Sequence, residues 1–208
     1  MQLEYRLSRC PELSLGIFSQ PTKAEADGGA SGKRQLIAHI IATRTAAPCV
    51  TDATMDYPKD WRTNKSSLPN EKEPVGHQNI GGTICIHSLA VRSEYQAMGI
   101  GSVLLKCYIQ RMKDAKIADR LALLAHDDLK NFYGRFGFDD MGPSQATFGG
   151  GNWNNMVSIE LGIVVYVANI ARFSSFQMYR MISRAKAMTG NTMTVNPDQH
   201  AISETLNP

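Results

Sequence analysis

The sequence predicts a mixed α/β fold, and two observations carry that prediction. Strand-like and helix-like segments alternate along the chain in the order β-β-loop-β-α-β-α-β-β. The apolar period also changes from two to 3.6 directly after Gly99, where a strand gives way to a helix. The chain has 208 residues and a formal net charge of +3, with 22 basic and 19 acidic side chains. This charge is too small to indicate a nucleic-acid-binding protein.

The first two strands are expected to form a hairpin. Residues 13–19 alternate apolar with small or polar side chains, and residues 35–43 are rich in isoleucine and alanine. Residues 24–33, which contain three glycines, are typical of the turn between them. The polar stretch 44–79 then contains four prolines and is expected to be a long connection. Within it, Thr51 or Asp52 predicts the cap of one short helix that ends before Pro58.

The second half predicts two strand-helix pairs and a return to short strands. Residues 80–91 and 120–125 are apolar enough for buried strands. Asp127 or Asp128 is expected to cap a helix over residues 129–135, and extended pieces follow from residue 138. The helix after Gly99 is predicted to bury Ile100, Val103, Leu104, Cys107 and Tyr108 on one face.

Composition also limits the setting and the partners. The four cysteines form no CxxC pair, so zinc ribbons and redox motifs are excluded, and we expect no metal. The longest apolar stretch, residues 161–171, is too short to cross a bilayer, which needs about 20 residues. The N-terminus is not typical of a signal peptide. We therefore expect a cytoplasmic monomer with reduced thiols that binds neither membrane nor nucleic acid.

The loop between the third strand and the long helix is a candidate anion site. Residues 96–101 read QAMGIG. The first N–H groups of a helix lack internal partners and carry partial positive charge, and glycines let a pyrophosphate approach the backbone. Arg92 and Gln96 could add donors. The alternative is that Gly99 and Gly101 merely permit a tight turn and close helix packing.

Strand, Q-x-x-G-x-G and amphipathic helix together resemble the GNAT superfamily of acetyl-CoA-dependent N-acetyltransferases. The resemblance extends to residues 87–91 (HSLAV) and residues 131–138 (NFYGRFGF). More narrowly, residues 10–16 (CPELSLG), residues 87–91, and Phe132 and Tyr133 with Gly142 and Pro143 are similar to arylalkylamine (serotonin-type) and fungal polyamine N-acetyltransferases. The resemblance implies the GNAT acyl-CoA N-acyltransferase fold, a mixed, mostly antiparallel sheet flanked by helices.

The resemblance also implies site residues. His87 matches the histidine assigned, through water, to remove the amine proton, and Tyr133 matches the acid that protonates the departing thiolate. Acetyl-CoA is the implied co-substrate, with a small amine as the other. Its implied contacts are Leu89, Ala90 and Val91 on the pantetheine arm, Ala97, Met98, Gly99, Ile100, Gly101 and Ser102 around the pyrophosphate, and Tyr133 at the sulfur.

Each assignment has a structural alternative. His87 could be a packed strand residue, and Tyr133 could pack its ring, although Phe132 and Phe136 are the expected core residues of that helix. The vertebrate relatives carry a second histidine two positions before the first, where this chain has Cys85. His39 and His77 are expected to be a strand and a loop residue, and no motif supports His126. Asp52, Asp56 and Asp60 with Trp61 could attract a cationic amine or form an ordinary solvated loop.

Two segments depart from the family pattern. The family's first strand and helix have no counterpart before residue 3, and residues 158–208 match nothing in it. We therefore expect an N-terminally truncated acetyltransferase domain at residues 1–157 and an extension at 158–208, helical over 159–187 and disordered in its last twenty residues. An incomplete or alternatively spliced gene model would explain both ends.

The resemblance implies direct acetyl transfer to an arylalkylamine or a polyamine in a ternary complex. Two alternatives remain open. One is a protein lysine or N-terminal acetyltransferase, and the other is a catalytically impaired remnant that binds acyl-CoA.

Overall fold

A computed structural model describes residues 1–20, 34–63, 74–158 and 192–193. The chain divides into two compact units, residues 1–15 with 38–166, and residues 16–37 with 167–208. The predicted turn at 24–33 and the predicted helix at 159–187 lie outside the described residues. The division between residues 157 and 158 stays a prediction.

The order of elements confirms the mixed α/β prediction. The helices are α1 (Gln2–Arg9), α2 (Asp52–Met55), α3 (Ile100–Ala115) and α4 (Asp127–Gly134). The strands are β1 (Leu15–Gln20), β2 (Leu36–Thr45), β3 (Thr83–Val91), β4 (Arg120–Ala125), β5 (Asp139–Pro143), β6 (Asn154–Ser158) and β7 (Thr192–Met193). Short 3₁₀ turns occupy Pro11–Leu13, Ser93–Tyr95 and Phe148–Gly150. Among the described helices, none is long and apolar enough to cross a bilayer.

The first unit is built on a sheet with the strand order β5-β6-β4-β3-β2. Among the described strands of this sheet, only the β3–β4 pair is parallel, and the other neighbours are antiparallel. This confirms the mixed, mostly antiparallel sheet. The short helix α2 begins as predicted, because the Thr51 side chain accepts from Thr54 N and the Thr54 hydroxyl accepts from Thr51 N.

The second unit contains the β1 edge and the start of β2. Ser19 N donates to Gln35 O at 2.8 Å, which agrees with the predicted hairpin. Ser19 and Gln20 also pair with Met193 and Thr192. The β1 edge thus offers backbone groups to a second strand at 192–193. The expectation for the rest of the last twenty residues lies outside the described residues and stays a prediction.

A β-bulge interrupts β3 in the middle of the first unit's sheet. Ile41 pairs with Ser88 and Ala42 pairs with Ile86, so β3 has one extra residue, His87, at this point. The parallel pairing of β3 with β4 ends at the same place, since Ile86 and Leu123 are the last partners. Beyond it, Leu124 and Ala125 pair only with β6, and the rest of β3 pairs only with β2. The sheet therefore opens between β3 and β4.

Helix α3 buries a slightly different face from the predicted one. Its buried residues are Ile100, Leu104, Leu105, Tyr108 and Met112, while Val103 and Cys107 are half-buried. The stripe follows the i, i+4 row because Tyr108 reaches the turn at residues 11–13. Its hydroxyl donates to Leu13 O at 2.9 Å inside the core.

Helix α4 begins two residues earlier than predicted and ends one residue earlier. His126 is its N-terminal capping residue, so Asp127 and Asp128 lie in the first turn instead of capping it. Carboxylates are favourable there because they face the positive end of the helix dipole. Gly137, with φ of +82°, allows the tight turn that follows.

Removing the Tyr108 hydroxyl should destabilise the fold. Tyr108→Phe leaves the buried Leu13 carbonyl without its donor, which costs about 1–2 kcal/mol and lowers Tm by about 2–8 °C. Thermal unfolding followed by circular dichroism measures this. Tyr95→Phe is the matched control, because Tyr95 is buried and its hydroxyl has no bond among the described residues. Equal losses in both variants would contradict the assignment.

Candidate active site

The loop between β3 and α3 has the geometry of a helix N-terminus prepared by glycine. Gly99 caps α3 with φ of +79°, and Ala97 also has a positive φ of 58°. Gln96 is a candidate donor to a ligand, but its side-chain amide donates to Val91 O at 3.0 Å and so closes the loop on itself. Arg92 pairs with Glu94 beside the loop. The available donors are therefore mainly backbone N–H groups.

The first turn of α3 is open to an anion. The backbone N–H groups of Ile100, Gly101 and Ser102 have no carbonyl partner within the helix, because no helical residue lies one turn before them. The first turn also contains no acidic residue that would repel an anion. A Cβ at Gly101 would lie 3.6 Å from Leu89 Cδ2 and from Val91 Cγ2, an ordinary contact distance. Close packing therefore does not require glycine at position 101, which favours the ligand interpretation over the packing one.

The end of β3 supplies a free strand edge next to this loop. Leu89, Ala90 and Val91 pair with β2 on one side, and β4 has already parted from β3 on the other. Ala90 is exposed, and its two neighbours are half-buried. An extended ligand with amide groups could pair with this edge as a further strand would. The sequence-predicted contacts at 89–91 and 97–102 thus follow one another along a continuous path.

His87 lies in the bulge and is held at both ring nitrogens. Its Nε2 is 2.7 Å from Thr43 Oγ1 on β2, and its Nδ1 is 3.0 Å from Met55 Sδ in α2. Burial, with the charge of Arg6 as a second cause, holds the pKa of His87 well below its usual value. The ring is therefore neutral at pH 7, as a proton acceptor must be.

Arg6 is a buried cation near this histidine. The side chain is 3% exposed, and one guanidinium nitrogen donates to Met55 O at 2.7 Å. Its Nε is buried without a hydrogen-bond partner among the described residues. Burial lowers the pKa of Arg6 to about 10, so it stays charged at neutral pH. Nothing in the sequence indicated this residue, because a lone arginine in an N-terminal helix has no motif.

Tyr133 lies on α4 and is more buried than Phe132 and Phe136. Its ring contacts Phe132 and Phe138 with centroids 5.1 and 5.9 Å apart, both edge to face. Phe132 and Phe136, the expected core residues, are only half-buried. The Tyr133 hydroxyl has no hydrogen-bond partner in the described part of the chain, and burial raises its pKa. It is therefore a protonated and uncommitted donor.

The aspartates of the long connection are mostly engaged. The Asp52 carboxylate accepts from Thr147 N, Thr147 Oγ1 and Phe148 N at 2.9–3.2 Å. Asp56 pairs with Lys59 at 2.9 Å. Trp61 is buried edge-on against Tyr5. Asp52 thus anchors α2 to the segment before β6, and the expectation that it attracts an amine is not favoured.

The remaining histidines agree with their expected places. His39 is on β2, and His77 Nδ1 accepts from Arg44 N in the long connection. His126 stacks on Trp153 with centroids 3.9 Å apart. A shallow groove of about 460 Å³ lies along α4, β5 and β6 and includes none of the predicted site residues. Within the described residues, no cluster of histidine, cysteine or carboxylate side chains could hold a metal ion.

Residues 62–157 match the model of the acetyltransferase (GNAT) domain family. The chain carries a GNAT acetyltransferase domain. It is 31% identical to serotonin N-acetyltransferase of Macaca mulatta over 148 residues, which cover 71% of this chain and 57% of that protein. The Mesocricetus auratus serotonin N-acetyltransferase is 30% identical over the same share of this chain. The chain therefore spans slightly more than half the length of these relatives.

Two solved structures are similar to this chain at lower sequence identity. The loading GNATL domain of CurA from Lyngbya majuscula is 12% identical, with a TM-score of 0.49 over 75% of this chain and 80% of that one. The NatC complex bound to Gag peptide and CoA is 19% identical, with a TM-score of 0.45 over 75% and 76%.

The low pKa of His87 has a consequence for stability. Below pH 6.5 the unfolded chain binds a proton at this histidine that the folded chain does not, so the free energy of unfolding falls as the pH drops toward the folded pKa. His39 and His77 act in the same direction, because burial also lowers the pKa of each. The contribution of His87 is therefore measured by comparing the parent with the His87→Gln variant, in which His39 and His77 are unchanged. We expect Tm of the parent to decrease more between pH 7 and pH 5 than Tm of His87→Gln, and parallel curves would contradict this.

Proposed function

We propose that this chain is an acetyl-CoA-dependent N-acetyltransferase that transfers the acetyl group directly to a small primary amine. The observation that carries the proposal is the opening of the sheet after Ile86 and Leu123, which leaves residues 89–91 as a free edge leading into the start of α3. The similarity to serotonin N-acetyltransferases over 71% of the chain supports the same activity.

The proposed acetyl-CoA site uses backbone groups for most of its contacts. The N–H groups at residues 97–102 would bind the pyrophosphate, since they meet the positive end of the α3 dipole. Leu89, Ala90 and Val91 would pair with the amide groups of the pantetheine arm. A site built from backbone donors tolerates varied side chains but requires small residues where the phosphates approach.

The proposed chemistry needs one proton acceptor and one proton donor. An alkylammonium has a pKa near 10, so it must lose a proton before its nitrogen can attack the thioester. His87 is neutral at pH 7 and would accept this proton, through water or through the Thr43 hydroxyl. Tyr133 would donate a proton to the departing thiolate, because its hydroxyl is protonated and has no hydrogen-bond partner among the described residues. Backbone N–H groups near Leu89 would steady the developing oxyanion.

Among small amines, we propose an arylalkylamine ahead of a polyamine. Asp52 and Asp56 are both engaged in contacts within the chain, and Arg6 adds a buried positive charge beside His87. A polyamine carries several positive charges, so the buried Arg6 guanidinium would repel it more strongly than a monoamine. The Met55 thioether, which contacts the proposed base His87, could also make a favourable sulfur–aromatic contact with the ring of an arylalkylamine. We further propose that the reaction occurs in the cytoplasm, as the reduced thiols suggest.

Thiol release measured with acetyl-CoA and a panel of amines tests the proposal. Tryptamine and serotonin should release CoA thiol faster than spermidine, and peptides with free N-termini or lysines should release the least. Rapid release with peptides alone would favour the protein acetyltransferase alternative. Stabilisation by CoA in a thermal shift without release on any amine would indicate a non-catalytic acyl-CoA-binding protein.

A methyl group at position 101 should remove CoA binding and leave the fold intact. Gly101→Ala places its Cβ at an ordinary distance from Leu89 and Val91, so Tm should change by less than about 2 °C. The same methyl crowds the proposed pyrophosphate site, and CoA affinity should fall at least about tenfold by calorimetry. Gly134→Ala is the control, because its Cβ meets nothing within 4 Å and lies outside the proposed contacts. Unchanged affinity in Gly101→Ala would place the phosphates elsewhere.

Loss of the Tyr133 hydroxyl should lower turnover more than binding. Tyr133→Phe keeps the ring contacts with Phe132 and Phe138. A general acid contributes about 10²–10⁴-fold, so kcat should drop within that range while the Kd for CoA stays within twofold. Steady-state kinetics and calorimetry measure the two quantities. Turnover equal to that of the parent would refute the acid role.

A further inference from the structure

We propose that Ser88 and His39 form a second proton-accepting pair, in which Ser88 takes the proton of the acceptor ammonium and passes it to His39. His39 Nε2 lies 2.9 Å from Ser88 Oγ, across the β2–β3 strand pair. His39 belongs to no motif and is expected to be only a strand residue, and Ser88 lies within the 87–91 motif but has no role assigned there. The proposal rests on the proposed function, since it concerns the same reaction.

The bulge brings this pair to the same face of the sheet as His87. On β2, residues 39, 41 and 43 share one face because side chains alternate along a strand. Ser88 lies opposite Ile41, and Cys85 lies opposite Thr43, so the extra residue puts both on that face. His87 reaches Thr43 there as well. Without the bulge, Ser88 and His87 would point to opposite faces.

The two pairs differ in how open they are. Both ring nitrogens of His87 already have side-chain contacts, to Thr43 and Met55. Ser88, His39 and His87 are all half-buried, but Ser88 is the one next to the free edge of β3, where Ala90 is exposed. A water or an amine near the proposed thioester site can therefore approach Ser88 without displacing Met55.

The electrostatic surroundings favour a neutral His39 at pH 7. Burial lowers the pKa of His39, with no charged side chain of the described residues contributing to the shift. The other titratable groups on this face of the strand pair are His87, held neutral, and Cys85, whose thiol pKa burial raises to about 12. Arg6 lies beside His87 from α1 and is the nearby permanent charge. Both histidines are therefore available as bases.

The proton transfer balances without an added reagent. One N–H bond of the ammonium breaks as an O–H bond forms at Ser88, while the original Ser88 O–H bond breaks as an N–H bond forms at His39 Nε2. His39 becomes an imidazolium, the amine gains a free electron pair, and the imidazolium later releases its proton to water. Ser88 is the group that touches the substrate, and His39 is a positioning and proton-storing residue behind it.

Steady-state kinetics of four single variants and one double variant test this. We expect Ser88→Ala and His39→Gln each to lower kcat at least about tenfold at pH 7, with the KM for acetyl-CoA within twofold of the parent. The loss should shrink as the pH approaches 10, because the amine then loses its proton unaided. The double variant should be no slower than either single variant, since the two side chains act as one unit. Ser88→Thr should retain activity because it keeps the hydroxyl. Ser93→Ala is the control, since it removes the hydroxyl of an exposed serine outside the proposed pair.

Other results overturn the proposal in recognisable ways. A higher KM for acetyl-CoA with an unchanged pH profile would mean that the pair only braces the bulge. Additive losses in the double variant, or unchanged kcat in both single variants, would remove the pair from the reaction. If the parent itself released no thiol with any amine, the proposed function would fail and the pair with it, a result distinct from an active parent with equally active variants.

Discussion

The candidate site depends on one irregularity in strand pairing. A strand that continued in register between two neighbours would have both backbone edges occupied and could not receive an extended ligand. The extra residue at His87 breaks the register with β2, and pairing with β4 ends one residue earlier. The backbone edge at residues 89–91, the orientation of His87 and the start of α3 all follow from that break.

The same irregularity determines which residues could be predicted. The start of α3 at Gly99 follows from local chemistry, since glycine accepts the left-handed conformation that the cap requires, and the sequence shows it directly. The bulge depends on the register between β2 and β3, which are separated by a connection of more than 30 residues. Alternation along β3 alone would put Ser88 on the wrong face. The sequence of either strand alone therefore could not predict the contact between His39 and Ser88.

Burial patterns were predicted less well than the elements themselves. Periodicity identified α3, but which of its side chains are buried depends on the segment packed against the helix. That segment includes the turn at residues 11–13, which the Tyr108 hydroxyl contacts. On α4 an aromatic cluster was expected to bury its phenylalanines, and the tyrosine is buried instead. Arg6 was missed altogether, because a buried guanidinium, whose Nε has no partner among the described residues, contradicts the rule that charges stay at the surface. Such exceptions concentrate where a site requires an unusual electrostatic environment.

The contacts of Asp52 link two parts of the first unit that are far apart in sequence. One end of α2 holds Met55 against His87, and the other end holds residues 147 and 148 through a single carboxylate. One turn of helix therefore connects the contact at the His87 ring with the backbone between β5 and β6. The surroundings of the proposed base are thus fixed in part by a segment that lies about 60 residues away in sequence.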